Sequence, residues 1–264
     1  VVRWHTDAAF THTPDVVAAE APLEVVLQAD DGGAEVFCVT MRTPGDELAL
    51  AMGLLLAEAV IASPDDLRDL HRCAHNPHRV RAHLKAASLP DLGGMRRNTP
   101  VNASCGLCGK TSAAAALCLS APLTLPLDAP RAPAALLAAL PDRLRASQPL
   151  FSRTGGLHAA ALFDLDGGLI DLREDVGRHN ALDKLLGQQA LQGRWPLPPL
   201  ILVLSGRVSF ELIQKALAAR LPFVVAVGAP SSLAISTAHA AGVTLIGFTR
   251  ADRLNIYTHP QRVT

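Results

Sequence analysis

The chain lacks the features that would send it to a membrane, an oxidising compartment or a nucleic acid. Although 49% of its residues are hydrophobic, no run reaches the roughly 18 uninterrupted apolar residues that a spanning helix needs. Residues 1–10 carry an arginine, a histidine and an aspartate and no apolar stretch, so no export signal is expected there. Five cysteines, Cys38, Cys73, Cys105, Cys108 and Cys118, are odd in number and irregular in spacing, which argues against a disulfide framework. Neither sign of charge is in excess, 24 Lys and Arg standing against 24 Asp and Glu. That balance removes any whole-chain argument for nucleic acid or an anionic membrane. The expectation is a cytoplasmic protein with no nucleic-acid and no membrane partner. Its 264 residues suffice for one large domain or two modest ones.

What is there changes in texture along the chain. Residues 23–29 and 34–41 alternate as strands around the turn Asp30-Asp31-Gly32-Gly33, a hairpin. Residues 47–61 have helical composition and are apolar nearly all round, which predicts a buried helix, ended by Pro64-Asp65-Asp66. Residues 71–87 read as one or two strands, and residues 90–100 as a linker. Residues 134–146 read as a helix that Pro141 breaks or restarts. From residue 151 strands and helices alternate: strands 159–165 and 169–172 about a tight turn, helix 180–191, then strand 200–204, helix 210–219, strand 223–227, helix 233–240, strand 243–248 and a last strand at 254–258. Repeated strand–helix units predict an α/β fold with a partly parallel sheet and helices on both faces. We divide the chain into a smaller β-rich N-terminal domain, residues 1–98, and an α/β domain, residues 99–264, which carries the Cys-x-x-Cys segment.

Chemistry concentrates at Cys105-Gly106-Leu107-Cys108-Gly109-Lys110. Two thiols among glycines, followed by a lysine and an alanine-rich run at 111–119, sit where a cation and a helix start favour thiolate. Such a pair serves disulfide exchange, half a zinc site or persulfide carriage. Ordinary packing of two cysteines is the bland alternative. A structural zinc site needs four ligands, and no second pair at close spacing exists. His71, Cys73 and His75 are the only nearby candidates, so no metal site is expected. Gly109-Lys110-Thr111 is not a phosphate loop, because Ser104 stands where that motif needs glycine.

Two strand ends share a second pattern. Leu204-Ser205-Gly206-Arg207-Val208-Ser209 and Val227-Gly228-Ala229-Pro230-Ser231 each place glycine after a buried strand and a serine where a helix begins. Such turns bind anions, and open α/β sheets take ligands at that edge; tight turning plus capping is the bland account. Phe248-Thr249-Arg250-Ala251-Asp252-Arg253 ends the third strand of the series, with two guanidiniums for phosphate and a ring face. In Arg173-Glu174-Asp175-Val176-Gly177-Arg178-His179-Asn180, Asp175 could cap a helix, Glu174 could pair with Arg178 and His179 could carry a proton. A purely structural ion-pair cluster explains the spacing equally well. Gly155-Gly156-Leu157-His158 carries the same ambiguity.

These segments, with Thr43-Pro44-Gly45-Asp46-Glu47-Leu48 and Ala229-Pro230-Ser231-Ser232-Leu233-Ala234, together resemble the formate dehydrogenase accessory sulfurtransferases, the FdhD family. The resemblance runs from about residue 22 to the C-terminus. It implies a protein that receives sulfur from a cysteine desulfurase as a cysteine persulfide. The sulfur then passes to the molybdenum (or tungsten) bis-guanine-dinucleotide cofactor before that cofactor enters formate dehydrogenase. It implies Cys105 as the reactive thiol, Cys108 as its assistant, and residues Phe248 to Arg253 as a cofactor contact. Gly206, Arg207, Ser209, Gly228 and Ser231 are the further expected contacts, with guanosine diphosphate as a fragment of the cofactor. A cytidine-deaminase-like fold and a homodimer are also implied. The deaminase zinc signature is absent, so fold likeness does not carry deamination. The rival function is a non-catalytic chaperone that holds the cofactor, with zinc on the cysteines.

Overall fold

The computed structural model describes residues 1–6, 8–90, 125–126 and 130–264. The first strands, β1 (Val2–His5) and β2 (Ala8–His12), form an antiparallel hairpin of their own. The sequence pattern had not suggested it, since Trp4 and Phe10 are exposed rather than alternating against a core. The expected hairpin follows as β3 (Ala21–Gln28) and β4 (Ala34–Arg42). The region read as one or two strands holds two, β5 (Leu67–Arg72) and β6 (Arg79–Leu84). These four make a sheet in the order β4-β3-β6-β5, with β3 and β6 parallel. Its inward residues, among them Leu23, Val25, Leu27, Phe37, Val80 and Ala82, pack on α1 (Glu47–Ala57).

Helix α1 is shorter than its composition suggested. Ala59 takes a left-handed backbone, φ 56°, and the N–H groups of Ala59 and Val60 turn back onto the carbonyls of Leu56 and Leu55. This closes the helix as a glycine would, but with no glycine to announce it. Pro64–Asp66 is a separate 3-10 turn capped by Ser63. The burial all round was correctly expected: one side of α1 meets the first sheet and the other meets α4 (Arg178–Leu191). Gly53 and Gly187 are the contact. A Cβ on Gly187 would fall 1.9 Å from the Ala49 carbonyl, and one on Gly53 1.9 Å from the Asp183 carbonyl.

The second sheet has six strands in the order β12-β11-β10-β9-β7-β8. They are β7 (His158–Phe163), β8 (Leu169–Asp175), β9 (Ile201–Leu204), β10 (Phe223–Ala226), β11 (Thr244–Arg250) and β12 (Arg253–Ile256). Strands β9, β10 and β11 are parallel, and the outer pairs are antiparallel. The period of two is visible in the core. Leu202, Leu204, Val224 and Ala226 face α4, α5 (Phe210–Ala218) and α6 (Ser232–Ala240). Ile201, Val203, Phe223 and Val225 face α2 (Ala134–Ala146) on the other side. Pro141 does not break α2. It removes one backbone donor, but Leu137, Leu140 and Leu144 are buried on the sheet and hold the helix through it. A short α3 (Pro149–Thr154) follows.

Hydrogen bonds from a buried ionic cluster join the two sheets. The Asp175 carboxylate accepts from the N–H groups of Thr43 (3.0 Å) and Gly177 (2.8 Å) and meets Lys184 Nζ at 2.7 Å. Lys184 also donates to the Thr43 carbonyl, and Asn180 donates to the Met41 carbonyl. Lys215 and Asp183 form a second buried pair at 2.7 Å.

Candidate functional site

Parallel strands joined by helices bring their C-terminal ends to one edge. Here Ser205, Val227 and Thr249 mark the ends of β9, β10 and β11. The turns beyond them are laced together. Gly228 N–H donates to the Gly206 carbonyl, Val208 to Ala229, Ser231 to Val208 and Phe248 to Gly228. Gly228 allows this approach, since a Cβ there would lie 2.8 Å from Arg207 N and the Gly206 carbonyl. Those four N–H groups are therefore engaged within the protein.

Over this edge stands a second wall, built from the end of α2 and from α3. Between the walls lies a cavity of about 560 Å³, within the range of nucleotide-sized ligand sites; Asp142, Gln148, Phe151, His158, Thr249 and Arg250 are among its lining. Glu174 fixes the second wall: its carboxylate accepts the N–H groups of Leu150 (2.9 Å) and Phe151 (2.8 Å), the start of α3. Arg145 lies over the Phe151 ring, 4.5 Å from its centroid. Arg250 is anchored at the mouth by donating to the carbonyls of Val227 (3.0 Å) and Thr249 (2.8 Å).

Two polar atoms of the lining are buried without a partner among the described residues: Gln148 Nε2 and Thr249 Oγ1. Gln148 is 3% exposed and Thr249 0%.

The electrostatics at the cavity favour the neutral form of one lining residue, His158. Burial depresses the His158 imidazole below its ordinary value, and Arg178, His179 and Arg207 nearby add to it. Behind it His179 Nε2 lies 3.1 Å from Glu211 Oε2 and 3.2 Å from Ser209 Oγ. Burial pushes the Glu211 carboxyl up, but the hydrogen bond and charge of His179, with Ser209 and Lys215, win and hold it low.

Of the residues picked from sequence, Thr249 and Arg250 line the cavity. Gly206, Gly228 and Ser231 form the laced edge beside it, and Ser231 caps α6 by accepting from Ala234 N–H. Ser209 does not cap with its side chain; its hydroxyl donates to Glu211 instead. Arg207 is exposed. Phe248 is 46% exposed and left-handed, φ 52°, and its ring is held out at the bulge between β11 and β12. Ala251 and Asp252 make the hairpin turn, and Arg253 pairs in register with Arg250. Cys105, Cys108, Lys110 and the run at 111–119 lie outside the described residues. His71 pairs with Asp69 at 2.5 Å, and no group of three His, Cys, Asp or Glu that could hold a metal occurs among the described residues. Sequence reasoning missed Asp142, Arg145, Gln148 and Phe151. Their segment carries no motif, and only the packing of α2 across the strand ends brings them to the site.

The fold matches that of a solved formate dehydrogenase accessory protein. The crystal structure of a Desulfotalea psychrophila protein assigned to that class superposes with a TM-score of 0.73 over 100% of this chain and 97% of that one, at 22% identity. The chain belongs to the FdhD/NarQ family, whose model matches residues 18–264. It is 46% identical over 267 residues to the sulfur carrier protein FdhD of Streptomyces avermitilis, covering 97% of this chain and 92% of that protein. It is 44% identical over 271 residues to the protein of the same name from Mycobacterium tuberculosis, covering 95% and 92%.

Proposed function

We infer that this chain is a sulfur carrier that serves the maturation of formate dehydrogenase, acting as a sulfurtransferase in the cytoplasm as a homodimer. In this reading Cys105 takes sulfur from a cysteine desulfurase. The Cys105 thiolate attacks the outer sulfur of the donor's persulfide, a new S–S bond forms, and the donor cysteine leaves as thiolate. Cys108 assists. The acceptor is the molybdenum (or tungsten) bis-guanine-dinucleotide cofactor, bound as substrate with a nucleotide half in the strand-end cavity. Arg250 at the mouth offers charge-assisted bonds to phosphate, Phe248 offers a ring face, and neutral His158 leaves the floor without a competing charge. Gly206, Arg207, Ser209, Gly228, Ser231 and Arg253 are the further contacts of this reading, Gly206, Gly228 and Ser231 from the laced edge beside the cavity.

The observation that supports the reading is the cavity itself: nucleotide-sized, at the ligand edge of an α/β sheet, with Arg250 among its lining. The names of the relatives supply the sulfur. The test is mass spectrometry after incubation with a cysteine desulfurase and cysteine. A gain of one sulfur should map to the Cys105 peptide and vanish in Cys105→Ala. Labelling that persists undiminished in that variant would remove Cys105 from the role.

A further inference from the structure

We propose that a second cavity, between the ends of α1 and α5, binds a free α-amino acid with an apolar side chain, Arg220 taking its carboxylate and the end carbonyls of the two helices taking its ammonium. This site is independent of the strand-end cavity and of the sulfur chemistry.

The cavity holds about 430 Å³, within the range of small-ligand sites. It shares no lining residue with the strand-end cavity. The chain path keeps them apart: α5 starts beyond the C-terminal end of β9 and finishes before β10 begins, and β9 and β10 are parallel. The last turn of α5 therefore lies at the opposite edge of the second sheet. The end of α1 and the turn after it contribute Leu56 and Ile61, the last turn of α5 contributes Leu217, and the connection from α4 to β9 contributes Trp195. The indole of Trp195 is fixed by its own N–H, which donates to the Ala62 carbonyl at 3.2 Å. Buried aliphatic groups beside a fixed ring suit an apolar side chain.

The polar groups are of both signs. Ala57 and Ala218 line the cavity and are the last residues of α1 and α5. Their carbonyls accept no backbone hydrogen bond among the described residues, and a helix C-terminus carries partial negative charge that favours a cation. Arg220 supplies the opposite charge. It stands at the left-handed position that closes α5, φ 59°, with its N–H on the Leu217 carbonyl. Glycine is the usual residue at such a position, and a long side chain there strains the backbone. The Arg220 guanidinium has no hydrogen-bond or ion-pair partner among the described residues, and neither has the carboxamide of Gln214, which also lines the cavity. A zwitterion with an apolar side chain meets the helix ends, the guanidinium and the apolar wall together. A fatty acid or an alkylamine uses only half of these groups.

Calorimetry on the full chain tests this with L-leucine, with 4-methylpentanoate, which lacks the ammonium, and with 3-methylbutylamine, which lacks the carboxylate. In Trp4→Phe protein Trp195 is the sole tryptophan, and its fluorescence reports the same binding. L-Leucine should bind and shift the emission. Each analogue should bind about ten-fold more weakly or worse for the charge-assisted contact it cannot make. Arg220→Gly fits the left-handed backbone and should leave the unfolding temperature unchanged or higher, yet lose leucine about ten-fold or more. Arg220→Lys, which keeps the charge without the planar fork, should recover part of that loss. Leucine affinity unmoved in Arg220→Gly, or analogues bound as well as leucine, overturns the proposal. So does a wild-type protein that gives neither heat nor a change in Trp195 emission with L-leucine, L-methionine or L-phenylalanine.

Discussion

At the scale of single residues, the site depends on groups whose ordinary behaviour the fold has changed. His158 is the clearest. Its imidazole is held below its ordinary value of 6.5, first by burial and then by Arg178, His179 and Arg207. The unfolded chain therefore binds this proton more readily than the folded one. The stability that goes with a neutral His158 is fully present above pH 6.5 and is lost as pH falls through the folded value. Stability from urea unfolding, measured between pH 8 and pH 5, should fall on the acid side in the wild-type protein. In His158→Phe that part of the slope should be absent. An identical acid slope in both proteins would mean that the imidazole titrates as it does in water. Glu211 adds a loss in the same direction at lower pH, because its carboxyl is also held below its ordinary value of 4.5.

At the scale of elements, the contact between α1 and α4 joins the first sheet to the second. It is a helix crossing at backbone distance, made possible by Gly53 and Gly187. Propensity alone would reward alanine at either position by about 1 kcal/mol. Packing reverses the sign, since a Cβ on Gly187 would meet the Ala49 carbonyl at 1.9 Å and the Gly53 nitrogen at 2.5 Å, backbone atoms that cannot rotate aside. Gly187→Ala should destabilise the protein by about 3 kcal/mol or more, read as a lower midpoint in chemical denaturation. A midpoint that stays the same or rises would show that the helices part without penalty. Gly193, just beyond α4, has open space where a Cβ would go but a left-handed φ of 74°, so Gly193→Ala would be strained for a different reason and is a poor control.

At the scale of the whole molecule, a ligand that joins the strand ends to the α2–α3 wall stabilises every element that the wall packs upon. With GDP at a hundred times its dissociation constant, linkage gives about 2.7 kcal/mol. For a chain of this size that corresponds to a rise in Tm of roughly 5–10 °C. ADP at the same concentration should leave Tm where it was. Equal shifts with both nucleotides would point to phosphate binding alone, centred on Arg250.

Much of the architecture was written locally. The β3–β4 turn, the buried apolar runs of β9 and β10 and the serine at the start of α6 all act over a few residues, and a few residues suffice to read them. Pro141 and Ala59 were misjudged because their effects are set by what surrounds them: a buried leucine face keeps α2 whole, and a left-handed alanine closes α1 without a glycine. The ionic segment around Asp175 carried its composition openly, yet whether it was chemistry or mortar depended on Thr43 and Met41, more than 130 residues away. Thr249 and Arg250 were legible because a strand end is a local event and because the resemblance pointed there. Asp142 and Gln148 were not, since no motif in α2 or in the turn after it marks them as lining a cavity. The sequence by itself determined most of the strands and helices from residue 21 onward and the kind of chemistry the cysteine pair and the arginines can support. Only the tertiary structure decided which polar side chains share a cavity, because the packing of α2 and α3 across the strand ends brings together residues that lie far apart in the chain.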